Sequence, residues 1–158
     1  MSTPLPAAAR TVATAIDAAV AAARAADQVR YQEAATRLAV LDPERLGAVE
    51  GAVLKALLED LHPGGFDGDD IKQVVAGCLR STAGWLPAVD PDALIVVLAG
   101  ALGVAEAEDR PESVTQQDVT RHAPLLIADL LTVAGRELAG YLDRAFIEIA
   151  RAETMELP

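Results

Sequence analysis

Val12, Ile16, Ala19, Val20, Ala23, Ala34, Leu38 and Leu41 recur at the three- and four-residue spacing of a helix buried on one side. They predict a long helix from about Ala7 to Leu41, after a loose leader over residues 1–6 that holds two prolines. The pattern breaks in its middle. Asp27 falls where the seam wants an apolar residue, with Arg30 and Tyr31 next on that face. The simpler reading is a kink, or two helices meeting near Asp27–Gln28. The other is a polar contact inside a helix interface, a device that can fix register. Spacing alone leaves open whether residues 7–41 are one helix or two.

Asp42-Pro43-Glu44 restarts the chain with a cap, a proline at the first helical position and an acid in the first turn. The stripe Leu46, Val49, Val53, Leu54, Leu57, Leu58, Leu61 then predicts a helix to about His62. Gly47 and Gly51 lie four residues apart beside it. Each weakens a helix by roughly 1 kcal/mol relative to alanine, so the pair implies that another helix backbone comes very close. The glycine-rich run from His62 to Gly68 reads as a loop. Asp69 or Asp70 is expected to cap a third helix to about Gly84, with Ile71, Val74, Val75, Cys78 and Leu79 inward and Trp85 at its end.

From Pro91 to Val104 the pattern changes character. Asp90 and Pro91 form a start signal, and after Asp92 every residue through Val104 is apolar or glycine. A helix apolar all round has no solvent face, and this one falls short of the roughly 20 residues that cross a bilayer. It is expected to be the buried centre of the molecule. An acidic loop follows, from Ala105 to Ser113. Thr115 to Asp118 resembles a capping box and opens a short helix to about His122. Pro124 then starts a last helix from Leu125 to about Glu153, with Ile127, Leu130, Leu131, Leu138, Tyr141, Leu142, Ala145 and Ile149 on one face. Residues 154–158 are expected to fray. The resulting fold is all-α: a single domain over residues 1–158, with about five long helices and one short one around residues 91–104.

Composition supports helices over sheets. Apolar residues make up 52% of the 158 and aromatics only 3%, so the core must be built from closely packed aliphatic side chains rich in alanine. The bias toward Ala, Arg, Asp and Val over Lys, Asn and Ile is that of a GC-rich bacterial coding sequence. The net charge of −11 argues against nucleic acid and against an anionic membrane surface as partners. It is unevenly spread. Eight acids face two bases over residues 42–70, and eleven face five over residues 105–158, −6 each. A single cysteine, Cys78, permits no intrachain disulfide. With no signal peptide visible, this fits the cytoplasm.

Candidate chemistry is sparse. Glu59 and His62 match the Glu-x-x-His pair of di-metal bundles, but project away from the apolar stripe. Asp118 and His122 lie one turn apart without a third ligand. Asp67, Asp69 and Asp70 lack the spacing of a calcium loop. No metal site or cofactor is expected, and no nucleophile, base and orienter can be assembled from two histidines and one cysteine. Glu50 is the informative carboxylate. It falls in the middle of the apolar stripe, one turn from Leu46, Val53 and Leu54. A carboxylate there must be paired, protonated or facing a cavity, unless it lies at the rim of the core or meets an arginine of the first helix. Glu50 and Asp27, with Tyr31 and Trp85, are the candidate ligand-binding residues.

Two functions follow. One is a non-enzymatic helical interaction or regulatory protein with a possible protein partner, homodimeric through the small-residue seams of its first and last helices. The other is a small-molecule-binding helical domain, or a carboxylate-only enzyme, with its pocket near Glu50 and Asp27.

Overall fold

A computed structural model describes residues 5–104 and 110–156. Among them every regular element is a helix, and there are seven: α1 (Ala7–Arg24), α2 (Gln28–Ala39), α3 (Pro43–Leu61), α4 (Gly68–Thr82), α5 (Pro91–Leu102), α6 (Gln116–Ala134) and α7 (Leu138–Glu156). None is long and apolar enough to cross a membrane. The leader up to residue 4, the acidic stretch 105–109 and the last two residues lie outside the described segments.

The count differs from five long helices and one short one, and each difference has a local cause. The seam of residues 7–41 is two helices. Ala26 adopts φ +54° between them, and the Asp27 side chain accepts the Arg30 amide at 3.1 Å as the cap of α2. Asp67 caps α4 in place of Asp69 or Asp70. It accepts the Asp70 amide while Asp70 accepts the Asp67 amide, both at 2.9 Å. Thr115 and Asp118 form the same reciprocal box at the head of α6. That helix does not stop at His122 but runs through Pro124 to Ala134. An interior proline costs about 3 kcal/mol or more, and here its ring is buried within the unbroken buried run from His122 to Ala128. The break comes later, at Gly135 with φ +64°, where the Arg136 amide closes back on the Leu131 carbonyl at 3.1 Å.

The central helix is α6, a correction to the expectation for residues 91–104. Helices α1 to α5 all contact it, and its Leu126, Ile127 and Leu131 are fully buried. In α5 only Ala93, Leu94, Val97 and Leu98 are buried, while Ile95 is 45% exposed and Gly100 is exposed. Small apolar residues show water little area, so an all-apolar sequence permits burial on every side without requiring it.

On α1, Ala15, Ala19 and Ala22 are buried within the chain, in a helix packed chiefly against α2 and α6. Helix α7 lies along α3. The two are joined where Asp60 accepts hydrogen bonds from the Tyr141 hydroxyl at 2.8 Å and the Arg144 guanidinium at 2.9 Å.

Candidate functional site

Helices α3, α5 and α6 do not close on one another along their whole length. A cleft of about 490 Å³ opens between them, bordered by Gly47, Glu50, Gly51 and Leu54 of α3, Val96, Val97, Gly100 and Ala101 of α5, and Gln116, Val119 and Ala123 of α6. Pro43, Glu44 and Arg110 stand at its edge. The volume falls in the range of small-molecule sites. A second hollow of about 320 Å³ continues from it between α3, α5 and α7, sharing Gly47, Gly51, Gly100 and Ala101 and adding Ala48, Ala52, Ile149 and Ala152.

The glycines are where the sequence misleads. Gly47 and Gly51 do not admit a neighbouring backbone. A Cβ at Gly51 or Gly100 would meet nothing within 4 Å, and one at Gly47 only the Gln116 side-chain amide at 3.5 Å. They keep the groove open where larger side chains would fill it. Val96, Val97, Gly100 and Ala101 of α5 form the opposite wall of this groove.

Glu50 borders the cleft and is 2% exposed. Among the described residues neither of its carboxyl oxygens has a hydrogen-bond partner, and both are buried. Burial pushes its pKa well above the usual carboxylate range. The carboxyl therefore lies just beneath the cleft surface, biased toward its neutral form. Around it the polar groups are engaged elsewhere or apart. Arg110 donates to the Gln116 side-chain amide oxygen, Oε1, at 3.0 Å. Tyr31 is close enough for the Glu50 charge to raise its pKa, after burial itself, the larger cause. The Tyr31 hydroxyl donates to the Arg121 backbone carbonyl.

Of the other sequence candidates, Trp85 meets Tyr31 edge-on, ring centroids 5.7 Å apart, and donates its indole N–H to the Ser81 carbonyl at 2.9 Å. The pair lies away from the cleft. So does Asp27, held at the head of α2 by its capping role. The structure thus brings Tyr31 and Trp85 together, sets Tyr31 near Glu50, and leaves Asp27 apart. Arg110, Gln116, Val119 and the α5 wall went unnoticed in the sequence. The available signal was a helix with an apolar stripe wider than its neighbours could cover.

His122 is not on the surface. Its Nε2 accepts the Asp90 amide at 3.1 Å, which leaves Nδ1–H to donate to the Asp118 carbonyl at 2.7 Å. Burial, the largest cause, lowers its pKa. The imidazole is thus neutral and in one tautomer, joining the start of α5 to α6. Cys78 is buried, and burial pushes its thiol up to about 12, so it is an inert interior group. Among the described residues no group of three or more His, Cys, Asp or Glu is placed to hold a metal ion. No protein-family model, curated protein or solved structure matches this chain.

Proposed function

We propose that this chain is a helical ligand-binding domain whose small-molecule ligand occupies the cleft between α3, α5 and α6. The observation that carries the reading is Glu50: a buried carboxyl without a hydrogen-bond partner among the described residues, set against a mostly apolar cleft of about 490 Å³. A folded chain gains nothing from an unsatisfied buried polar group, whose cost is roughly 1–3 kcal/mol. Such a group persists where a ligand completes it. Binding is proposed over chemistry because the described cleft lining offers no histidine and no hydroxyl or thiol nucleophile to act with Glu50. A homodimer built on α1 would need Ala15, Ala19 and Ala22 uncovered, and for that reason the ligand reading is placed ahead of the self-association one.

The test is a fragment screen read by methyl NMR. Ligands of the cleft shift the methyl signals of Val96 and Val119 and raise the melting temperature, a ligand at a hundred times its Kd adding about 2.7 kcal/mol. Glu50→Ala keeps the fold and loses that stabilisation. Hits that leave both valines unmoved place the ligand elsewhere and sink the reading.

A further inference from the structure

Resting on that reading, we infer the chemical class of the ligand: an alkyl amine, its cationic nitrogen meeting Glu50 and its narrow apolar tail lying over Gly51 and Gly100 into the second hollow.

The head group follows from the charges bordering the cleft. Glu44 and Glu50 are acids, and the one base, Arg110, already donates to Gln116. In the adjoining hollow Lys55 stands 3.9 Å from Glu148. Two acids thus border the cleft against one base, and of the three only Glu50 is buried without a hydrogen-bond partner among the described residues, in a chain whose net charge of −11 draws cations toward it. Glu50 makes no side-chain hydrogen bond among the described residues, so turning its side chain out to meet an ammonium group breaks none of theirs. The exchange is favourable on both sides. The carboxyl gains three charge-assisted donors at most from a primary amine, and the ammonium keeps an anion beside it in the apolar groove.

The tail follows from the shape. Both hollows border Gly47, Gly51, Gly100 and Ala101, so a chain leaving Glu50 can cross between α3 and α5 only where there are no side chains. Beyond that crossing the lining is Ala48, Ala52, Ile149 and Ala152 apart from the Lys55–Glu148 pair. Aliphatic walls without an aromatic platform suit a flexible methylene chain better than a planar ring.

Burial biases Glu50 toward its neutral form in the free protein, and an ammonium group beside it favours the charged one. The charged groups bordering the two hollows besides Glu50 are Glu44 and Lys55 from α3 itself, Arg110 before α6 and Glu148 from α7, and the Tyr31 hydroxyl of α2 is near enough to feel the Glu50 charge. Helix α5 contributes no such group to the cleft lining.

Calorimetric titration with octylamine, octanol, octanoate and propylamine tests the inference, with the Val96 and Val119 methyl signals reporting occupancy of the cleft. Octylamine is expected to bind at least about tenfold tighter than octanol or octanoate, with a proton released to buffer, and Glu50→Gln to erase that preference. Gly51→Leu is expected to weaken octylamine about tenfold and leave propylamine unchanged. That variant adds a good helix former at a position with open space, so it folds. If octanol or octanoate equals octylamine while the valine signals still shift, the cation is overturned and the cleft stands as a ligand site. If Gly51→Leu leaves octylamine unaffected, the path of the tail is overturned. If none of the four probes moves the valine signals while octylamine binds elsewhere or not at all, the inference fails, and the fragment screen then decides the wider reading.

Discussion

Of the carboxylates on helix α3, Glu50 and Asp60 are treated by the fold in opposite ways. At the Asp60 end, α7 lies against α3 and supplies both a hydroxyl and a guanidinium to one carboxylate oxygen. Those hydrogen bonds, the Arg144 one foremost, hold Asp60 below its usual pKa. At the Glu50 end α5 stands off across a groove edged with glycine, and no donor reaches the carboxyl. Burial is what separates the two energetically. Asp60 keeps water and gains partners, whereas Glu50 loses water and gains none. The closed end of α3 is thus complete as it stands, and the open end is complete only with something added. A helix-helix interface that stabilises and one that binds can be built along the same helix by changing which side chains fill the gap.

The comparison is broken most directly at Glu50. Glu50→Leu removes the orphaned carboxyl and leaves a branched aliphatic side chain one bond shorter, so we expect a gain of about 1–3 kcal/mol in unfolding free energy at pH 7. The pH dependence gives the sign. Because the folded pKa is raised, native Glu50 contributes most below its unfolded value near 4.5, and stability is lost as the pH rises toward the folded value. The gain from Glu50→Leu is therefore smaller at pH 4 than at pH 7. Urea melts at the two pH values check it; equal gains at both would mean that Glu50 titrates as if exposed. The same substitution should abolish binding in the cleft, stability and function moving in opposite directions.

Much of this contrast could be read from the chain, and the part that could not has identifiable causes. The caps at Asp42, Asp90 and Thr115 are local signals that act through the nearest amides, and helix positions followed from them. The apolar stripe marked Glu50 as anomalous because a 3.6-residue wheel fixes direction within one helix. What a wheel does not contain is the neighbour. Whether Glu50 meets an arginine, a rim or a cleft depends on how α5 sits against α3, and that is set by contacts far apart in sequence. The same gap explains the central helix. Residues 91–102 look more apolar than residues 116–134, yet α6 is the one surrounded, because five helices reach it. Pro124 and Gly135 show the limit for boundaries. Pro124 carries a start signal that tertiary burial overrides, whereas the break at Gly135 is local, an exposed residue at φ +64°.

His122 sharpens the comparison, for it is a second buried titratable group on the cleft's own helix, but a satisfied one. If partnering rather than burial separates Glu50 from the rest, removing His122 must cost stability where removing Glu50 adds it. His122→Ala leaves the Asp90 amide and the Asp118 carbonyl without their imidazole, and we expect a loss of about 1–2 kcal/mol. The native protein should show its own pH signature. With the folded pKa lowered, the contribution is full above the unfolded value near 6.5 and is lost as the pH falls through the folded value. Protonation puts a hydrogen on Nε2, which then opposes the Asp90 N–H it had accepted. Comparing melting temperatures of the wild type and His122→Ala between pH 8 and pH 5 tests this, the difference shrinking on acidification. A constant difference would show that the ring acts through packing alone.

The smallest effect is expected at the closed end. Asp60→Asn retains an oxygen for the Tyr141 hydroxyl but removes the charge that Arg144 meets at 2.9 Å. The Asp60 and Arg144 side chains are 39% and 51% exposed, so water screens the pair and the loss should be about 0.5–1 kcal/mol or less. Its sign with pH is opposite to that of Glu50. A lowered folded pKa means that the stability contributed by Asp60 is present above the unfolded value near 3.8 and is lost as the pH falls through the folded one. Melts of Asp60→Asn should therefore converge on the wild type in acid, where those of Glu50→Leu also converge but from the other side. Salt distinguishes the two as well: raising it should narrow the Asp60→Asn difference and leave the Glu50→Leu difference standing, since only the first rests on a solvent-exposed ion pair. Equal sensitivity to salt would mean that the carboxyl beneath the cleft is wetter than its burial implies.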